Sequence, residues 1–464
     1  MTAVLADPAV PAMPDDEHFA RNLIGGRWQF PAAPYEYEIR NPADSTITTV
    51  VPLSSRFDVG RAAAAAGAAL RGHWADPGER GRLLDGVLDR LESSRNDLAR
   101  LQATETGLSF PDSLAVVDAT LGLARGLLRR GVPPGPARPG GVSGHILSWG
   151  APFTETVTSV LPALLRGDAV VVKPSLRGPL SPVAFAHVAT QAGLPAGVLN
   201  IVQGTGVDVG AELISRRGLS ALYVRAGSRT LALAERGHAR TNVPLHRLRG
   251  GGNVAVVGPH AGDLDALRLA VTAGVRMNSA GGLFGLPLLA VHADCADAVL
   301  AALLPALAGT AAAPLPAEPL RRRAASRIDA LVSAGAKTLL GGAAVPDDVA
   351  HRMGWRLPPT VLHLGTASSP AVAAEQASEP VGPVLGVFIW RDRAELAGAF
   401  RSPRAADGVA TLWGADQALA MSLPHGLAVD GASGALSAGG ATLPAAWFGD
   451  ARDHELSGDD AAGR

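Results

Sequence analysis

The chain carries one cysteine, Cys295, so no internal disulfide and no cysteine-based zinc site can form. A thiol must ionise before it attacks. Cys295 follows the apolar run Leu288–Val291 and opens a helical segment, and Asp294 and Asp297 beside it oppose thiolate formation. That setting assigns it a structural role. Ser279 offers a hydroxyl, but no histidine adjoins it to take its proton. His145 and His246 lie far along the chain and suit structural positions. Lys173 is one of only two lysines, with Lys337, and it closes the apolar run Ala169–Lys173. A lysine at a strand end either meets a ligand or is solvated surface. Glycines at 204, 206 and 210 fit a tight turn. Ser228 precedes a helical segment, where it would either cap the helix or, with Gly227, help its first N–H groups meet a phosphate.

These groups need a scaffold, and the apolar pattern supplies one. Residues 58–74, 78–105 and 112–131 have Ala or Leu at helical spacing. Between Gly144 and Gly250 the runs HIL, AVVVK, LNIV and ALYV are each followed by a helical segment. That alternation predicts a parallel sheet covered by helices. A second block begins with VAVV after Asn253, then a helix from Asp263, LLAV at 288–291 and a helix after Asp294. Two doubly wound α/β lobes are expected, over 20–250 and 251–430, with a short C-terminal segment at 431–464. Pro133–Gly141 reads as loop, and the chain from Asp430 on is Gly/Ala-rich and poorly periodic.

The 464 residues suffice for two or three domains, and 47% apolar with 18% charged residues describes a globular chain. A formal net charge of −1 gives no reason to expect nucleic acid. No apolar run is long enough to span a bilayer. Met1–Asp16 contains acidic groups and no basic one, unlike a secretory signal, so a cytoplasmic protein is expected. Nearly all basic residues are arginine, a bias of GC-rich bacterial genomes.

Several motifs then recur in a fixed order. LIGGRW (Leu23–Trp28) and NPA (Asn41–Ala43) come first. SWGAP (Ser148–Pro152), GDAVVVKPS (Gly167–Ser175) and NIVQGTGVDVG (Asn200–Gly210) follow. AGS (Ala226–Ser228), GGN (Gly251–Asn253), RLPPTVL (Arg356–Leu362) and EPVGP (Glu379–Pro383) complete the series. In order and rough spacing the chain resembles the NAD(P)-dependent aldehyde dehydrogenases over about residues 20–450. The resemblance implies a Rossmann-like cofactor domain and a catalytic-type domain.

That family attacks an aldehyde with a cysteine thiolate, passes hydride to nicotinamide, and uses a glutamate to activate water. The glutamate stands two residues before a GG pair. Here the pair is Gly251-Gly252 and the residue is Arg249. The cysteine ends an Asn-x-Gly-Gln-x-Cys motif. Here Asn278-Ser279-Ala280-Gly281-Gly282 leads to Leu283, and the 34-residue separation from Arg249 matches the family spacing. The family's Trp-Asn-aromatic-Pro run, whose asparagine holds the oxyanion, is Trp149-Gly150-Ala151-Pro152. Nucleophile, base and oxyanion donor are missing together, so no catalytic residue is intact.

By the same resemblance, the cofactor set is Lys173, Gly227, Ser228, Glu379 and Trp149. The ribose-holding glutamate three residues after the lysine is Leu176, and the stacking aromatic two after Glu379 is Val381. Arg177 next to Leu176 suits either a 2′-phosphate or plain surface exposure. NAD(P) binding is expected to be weak or absent. The old substrate tunnel would be faced by Glu155 and Thr158, on the helical face of Ala151, together with Arg249 and Ser279. Glu155 and Arg249 would satisfy each other as an ion pair, or leave Arg249 for a carboxylate or phosphate ligand, or both face away from the cavity. No metal site is expected.

The family pairs its subunits through a long hairpin and a C-terminal strand. The bridging segment near 132–142 is short and Pro-rich, and the chain ends soon after Ser457. A monomer or weak dimer is expected. The functional expectation is an inactive homologue (a pseudoenzyme) acting as a binding, scaffold or accessory protein, with a small-molecule ligand or a protein partner. A repurposed non-redox site is the alternative, and an oxidoreductase with a substitute nucleophile the third reading.

Overall fold

The computed structural model describes residues 13–444, except 73, 75, 131–139, 249–251, 281–283, 312–313, 344–353, 401–408, 415–418, 420–422, 424–426, 431–434 and 439–440. They fall into two compact units. The first takes residues up to 41, 46–106 and 116–248, and the second 42–45, 107–115 and those from 249 on. Among the described residues no helix is long and apolar enough to cross a membrane.

The first unit opens with the short helix α1 (Asp16–Phe19), the hairpin β1 (Asn22–Ile24) and β2 (Arg27–Gln29), and a separate hairpin of β3 (Glu36–Arg40) and β4 (Ile47–Pro52). Helices α2 (Arg56–Ala69), α3 (Pro77–Ser93), α4 (Arg95–Thr106) and α5 (Phe110–Arg130) follow. The single helix expected over 78–105 is in fact two, broken at Ser94. Ser93, Ser94 and Asn96 have side chains that compete for backbone hydrogen bonds, which favours a break there.

Strand and helix then alternate: β5 (Val142–Ile146), α6 (Pro152–Arg166), β6 (Ala169–Lys173), α7 (Leu180–Gln191), β7 (Leu199–Ile201), α8 (Ala211–Ser215), β8 (Ala221–Val224), α9 (Ser228–Thr241) and β9 (Leu245–Arg247). The sheet order is β2-β1-β7-β6-β5-β8-β9. Strands β5 to β9 pair in parallel, and β1 joins β7 antiparallel. Every residue of β6 is buried, the mark of a strand covered on both faces. From β5 the chain builds outward through β6 and β7, then returns to the opposite flank of β5 with β8. This reversal makes a topological switch point past the C-terminal ends of β5 and β8, the place where open α/β sheets bind ligands.

In the second unit the elements are β10 (Val254–Val257), α10 (Leu264–Met277), β11 (Leu288–His292), α11 (Ala296–Ala308), α12 (Glu318–Ser333), β12 (Lys337–Leu340), β13 (Thr360–Thr366), α13 (Pro370–Ala377), β14 (Val384–Trp390), α14 (Arg393–Ala399), β15 (Val409–Trp413) and β16 (Leu427–Asp430). Their sheet runs β12-β13-β14-β11-β10-β15-β16, parallel except at β12. Two strands unassigned by the sequence pattern, β17 (Ala435–Ala438) and β18 (Ala441–Pro444), form an antiparallel pair. Their small side chains give little alternation to read.

One buried acid ties α4 to the start of α7 in the first unit. Glu105, in the last turn of α4, accepts from the Leu180 and Ser181 N–H groups at 2.8 and 3.0 Å, capping α7 from 75 residues away. Burial pushes its carboxyl up to about 7, against these hydrogen bonds, from an ordinary 4.5. The native state therefore holds this proton more tightly than the unfolded chain. The stability it contributes is full below about pH 4.5 and is lost as pH rises through about 7. Glu105→Gln is expected to flatten the fall in urea-unfolding free energy between those pH values. A slope equal to that of the unmodified chain would contradict the assignment.

Candidate active site

The chain leaves β5 at Ile146 and enters α6 at Pro152 through the turn Leu147–Ala151. Trp149 is half-buried and Gly150 buried. Ala151 precedes the helix in the left-handed region, with φ 54° and ψ 59°, and offers no side-chain cap. It thus stands outside the helical face that spacing assigned it. A non-glycine residue there is strained by on the order of 1–2 kcal/mol. Gly178 lets the neighbouring loop approach: a Cβ on it would lie 3.2 Å from Pro152 and 3.5 Å from the Trp149 carbonyl oxygen.

What holds this turn is Glu155. The side chain is buried, and both its oxygens are engaged by one residue. The Ser148 N–H donates to Oε2 at 2.7 Å and the Ser148 hydroxyl to Oε1 at 2.5 Å. Arg225, directly after β8, faces it with Nε 3.9 Å from Oε1, an ion-pair distance without a hydrogen bond. Burial raises the Glu155 carboxyl to about 7, while Arg225 and Ser148 pull the other way. Burial likewise lowers the Arg225 guanidinium, and Glu155 opposes that. The expected cation was Arg249, which lies outside the described residues. Sequence reading missed Arg225. The available signal was an arginine directly behind the buried run Ala221–Val224. Thr158 spends its hydroxyl on the Thr154 carbonyl of its own helix, at 2.8 Å.

Lys173 ends β6 buried, so the solvated-surface alternative is corrected. Its Nζ donates to the Pro174 carbonyl at 2.6 Å, and burial lowers its amine to about 8. Leu176 is half-buried and Arg177 exposed. Gly206–Gly210 forms a single wide turn, with Thr205 Oγ1 accepting from the Asp208 N–H at 3.0 Å. Gly227 occupies the capping position of α9, and Ser228 is its first helical residue, so the reading of Ser228 as the cap is corrected.

In the second unit, Asn278 Nδ2 donates to the carbonyls of Leu286 and Val384 at 2.9 and 3.2 Å. A Cβ on Gly285 would fall 2.1 Å from Asn278 Oδ1, so glycine is required there. Ser279 is buried, and its hydroxyl meets no hydrogen-bond partner among the described residues. Leu283 and the Gly251 of the GG pair lie outside the described residues, as does the bridging segment 131–139. Glu379 is engaged by Arg323 at 2.7 Å, and Val381 is buried. Just before it, Arg327 binds Glu375 through two nitrogens and donates to the Ser378 hydroxyl at 3.2 Å, fixing the approach to the motif.

Cys295 and His145 sit in packed, hydrogen-bonded surroundings. Cys295 is buried with Sγ 3.2 Å from the Gly258 carbonyl, and burial with Asp294 pushes its thiol up. His145 sits between Ser143 and Ser159 at 2.9 and 2.7 Å, and burial lowers its imidazole to about 3. Its ring stacks on Tyr223, which stacks on His246, across three adjacent strands. Among the described residues no three His, Cys, Asp or Glu side chains could hold a metal.

The Aldehyde dehydrogenase family model matches residues 28–422, and the chain belongs to that family. It is 32% identical over 272 residues to geranial dehydrogenase of Castellaniella defragrans, covering 54% of this chain and 56% of that one. It is 28% identical over 269 residues to aldehyde dehydrogenase 1A1 of Gallus gallus, covering 53% of each. The chain thus spans about half the length of the curated relatives it matches. Among solved structures, a variant of aldehyde dehydrogenase C from Pseudomonas syringae, in complex with NAD+ and octanal, superposes with a TM-score of 0.79 at 24% identity over 90% of both chains. Lactaldehyde dehydrogenase of Escherichia coli gives 0.77 at 23% identity, over 89% of this chain and 90% of that one. Those likenesses establish the fold.

The strain at Ala151 can be measured. Ala151→Gly is expected to raise the unfolding free energy by about 1 kcal/mol. Urea unfolding reads it, and an unchanged or lower midpoint would place the strain elsewhere.

Proposed function

We propose that this family member has lost aldehyde oxidation and acts as a binding, scaffold or accessory protein. The observation that carries the reading is the turn before α6. Gly150 stands buried where the family's run places its oxyanion amide, and glycine has no side chain to donate. Leu283 at the nucleophile position and Arg249 at the base position support the same conclusion. The residues present fit a nicotinamide dinucleotide poorly. Lys173 turns to its neighbour's carbonyl, Leu176 offers no acceptor to a ribose, and Glu379 is taken by Arg323. A second reading, non-redox chemistry in the old tunnel, is favoured by the cluster of Ser148, Glu155 and Arg225.

No NAD(P)-dependent oxidation is expected across a broad aldehyde panel followed by nicotinamide absorbance. Turnover above trace, abolished by a change in the tunnel, would overturn the reading. Calorimetric titration with NAD and NADP is expected to give dissociation constants weaker than about 1 µM, less than ~8 kcal/mol of binding. Tighter binding would mean that Lys173 and Ser228 still hold the cofactor. Leu283→Cys with Arg249→Glu is expected not to restore acid formation, since Gly150 still leaves the oxyanion short of a donor worth ~3 kcal/mol. Ordinary enzyme rates in that double variant would contradict the role given to Gly150.

A further inference from the structure

Among the described residues the four most exposed large apolar side chains are Val207 at 83%, Tyr35 at 67%, Phe57 at 65% and Phe30 at 63%. All four are tied to the start of α2. Phe57 lies in its first turn. The Tyr35 carbonyl accepts from the Leu53 N–H at 2.8 Å, just before the capping residue Ser55. Two residues after Phe30, the Ala32 N–H donates to Asp58 Oδ1 at 3.0 Å. The Ser54 N–H donates to the Gln203 carbonyl at 3.1 Å, and a Cβ on Gly204 would lie 3.1 Å from the same Ser54 nitrogen. The turn that carries Val207 therefore starts against this helix end. Exposed apolar residues scattered singly need no explanation, but a group of four at one place does.

Two guanidiniums stand over these rings. Arg21 Cζ is 4.6 Å from the Phe30 centroid and Arg56 Cζ is 5.2 Å from the Phe57 centroid, within cation–π reach. Arg21 is paired with Glu17. Of the acids close by, Asp58 is buried and engaged by Ser55, Ala32 and Arg61, and Asp208 accepts from the Thr205 hydroxyl. Arg56 is exposed and meets no carboxylate among the described residues.

We propose that the surface around the start of α2 docks an acidic segment of a partner protein. Aromatic or apolar side chains of that segment seat on Phe30, Tyr35, Phe57 and Val207, and a carboxylate beside them pairs with Arg56. This rests on the first reading above, a binding or accessory protein, and names the surface and the class of partner. Aromatic residues and arginine are the types enriched at the centres of interfaces, and rings lose little conformational freedom when covered. The carboxylate follows from Arg56. Covering a guanidinium that has no acid of its own is unfavourable unless the partner brings one. The same argument disfavours a second copy of this chain. Pairing about a twofold axis sets identical surfaces together, which would supply Arg56 with another Arg56 in place of an acid.

The test uses the full chain and a short fluorescein-labelled peptide alternating Trp and Asp, followed by fluorescence anisotropy. The peptide is expected to bind, and Phe57→Ser or Tyr35→Ser to weaken binding roughly 10-fold or more. Replacing Asp by Lys in the peptide should abolish binding to the unmodified chain. Arg56→Glu should reverse that preference, and an acid in the first turn suits the helix. Melting curves establish that each variant is folded. No binding, or binding indifferent to Phe57 and Arg56, would overturn the proposal. So would binding to phosphatidylserine vesicles that Phe57→Ser abolishes while the peptide stays unbound, which would make the surface a membrane contact. A mass that rises with concentration in light scattering, and no longer does so in Phe57→Ser, would assign the surface to a second copy and overturn it equally. The aldehyde panel separates the two readings. Peptide failure without turnover strikes this surface alone, whereas turnover with peptide binding intact strikes the loss of oxidation and leaves the surface standing.

Discussion

A carboxylate removed from water must be answered by donors, and among the described residues Glu155 draws its hydrogen bonds from the turn that precedes its own helix. Two hydrogen bonds from Ser148 draw the segment after β5 tightly against the start of α6. The chain then has too few residues to turn gradually, and Ala151 adopts a backbone conformation that favours glycine. Gly178 lets the next loop lie close against the turn. Pairing β5 with β6 on one side and β8 on the other brings Arg225 to the same carboxylate. A single buried charge therefore sets the geometry of the whole end of the sheet. Such an arrangement is costly to break from one side, because removing either partner strands the other without water.

Much of this was legible in the sequence. The runs AVVVK and VAVV coincide with strands, because a strand covered on both faces has no polar residue to interrupt it. Asp263 before α10 was readable as a helix start, and its side chain does accept from the Ala266 N–H at 3.0 Å. The motif order was readable because each motif is local.

What escaped depends on contacts across long stretches of chain. Glu105 is an acid in a helical pattern until α7 is known to begin against it. Arg225 ends an apolar run and looks like any solvated strand tip, yet the sheet places it beside a helix 70 positions earlier, near Glu155. Ser148 opens the motif beside Trp149 and Gly150, and its role depends on Glu155 in the following helix. The break at Ser94 escaped for the opposite reason: apolar spacing continues across it while the backbone does not. Short strands of small residues, such as β17 and β18, leave too faint an alternation to separate from loop.

The burial of Lys173 reaches beyond the cofactor question. Of 41 basic residues only Lys173 and Lys337 are lysines, and Lys337 is exposed. The positive charge on the surface is therefore almost wholly guanidinium, which keeps its proton at any pH the protein meets. Raising the pH into the range where amines neutralise would leave the surface charge of this protein nearly constant, whereas a lysine-rich protein would drift steadily negative. Reagents that acylate or cross-link lysine would find a single accessible side chain.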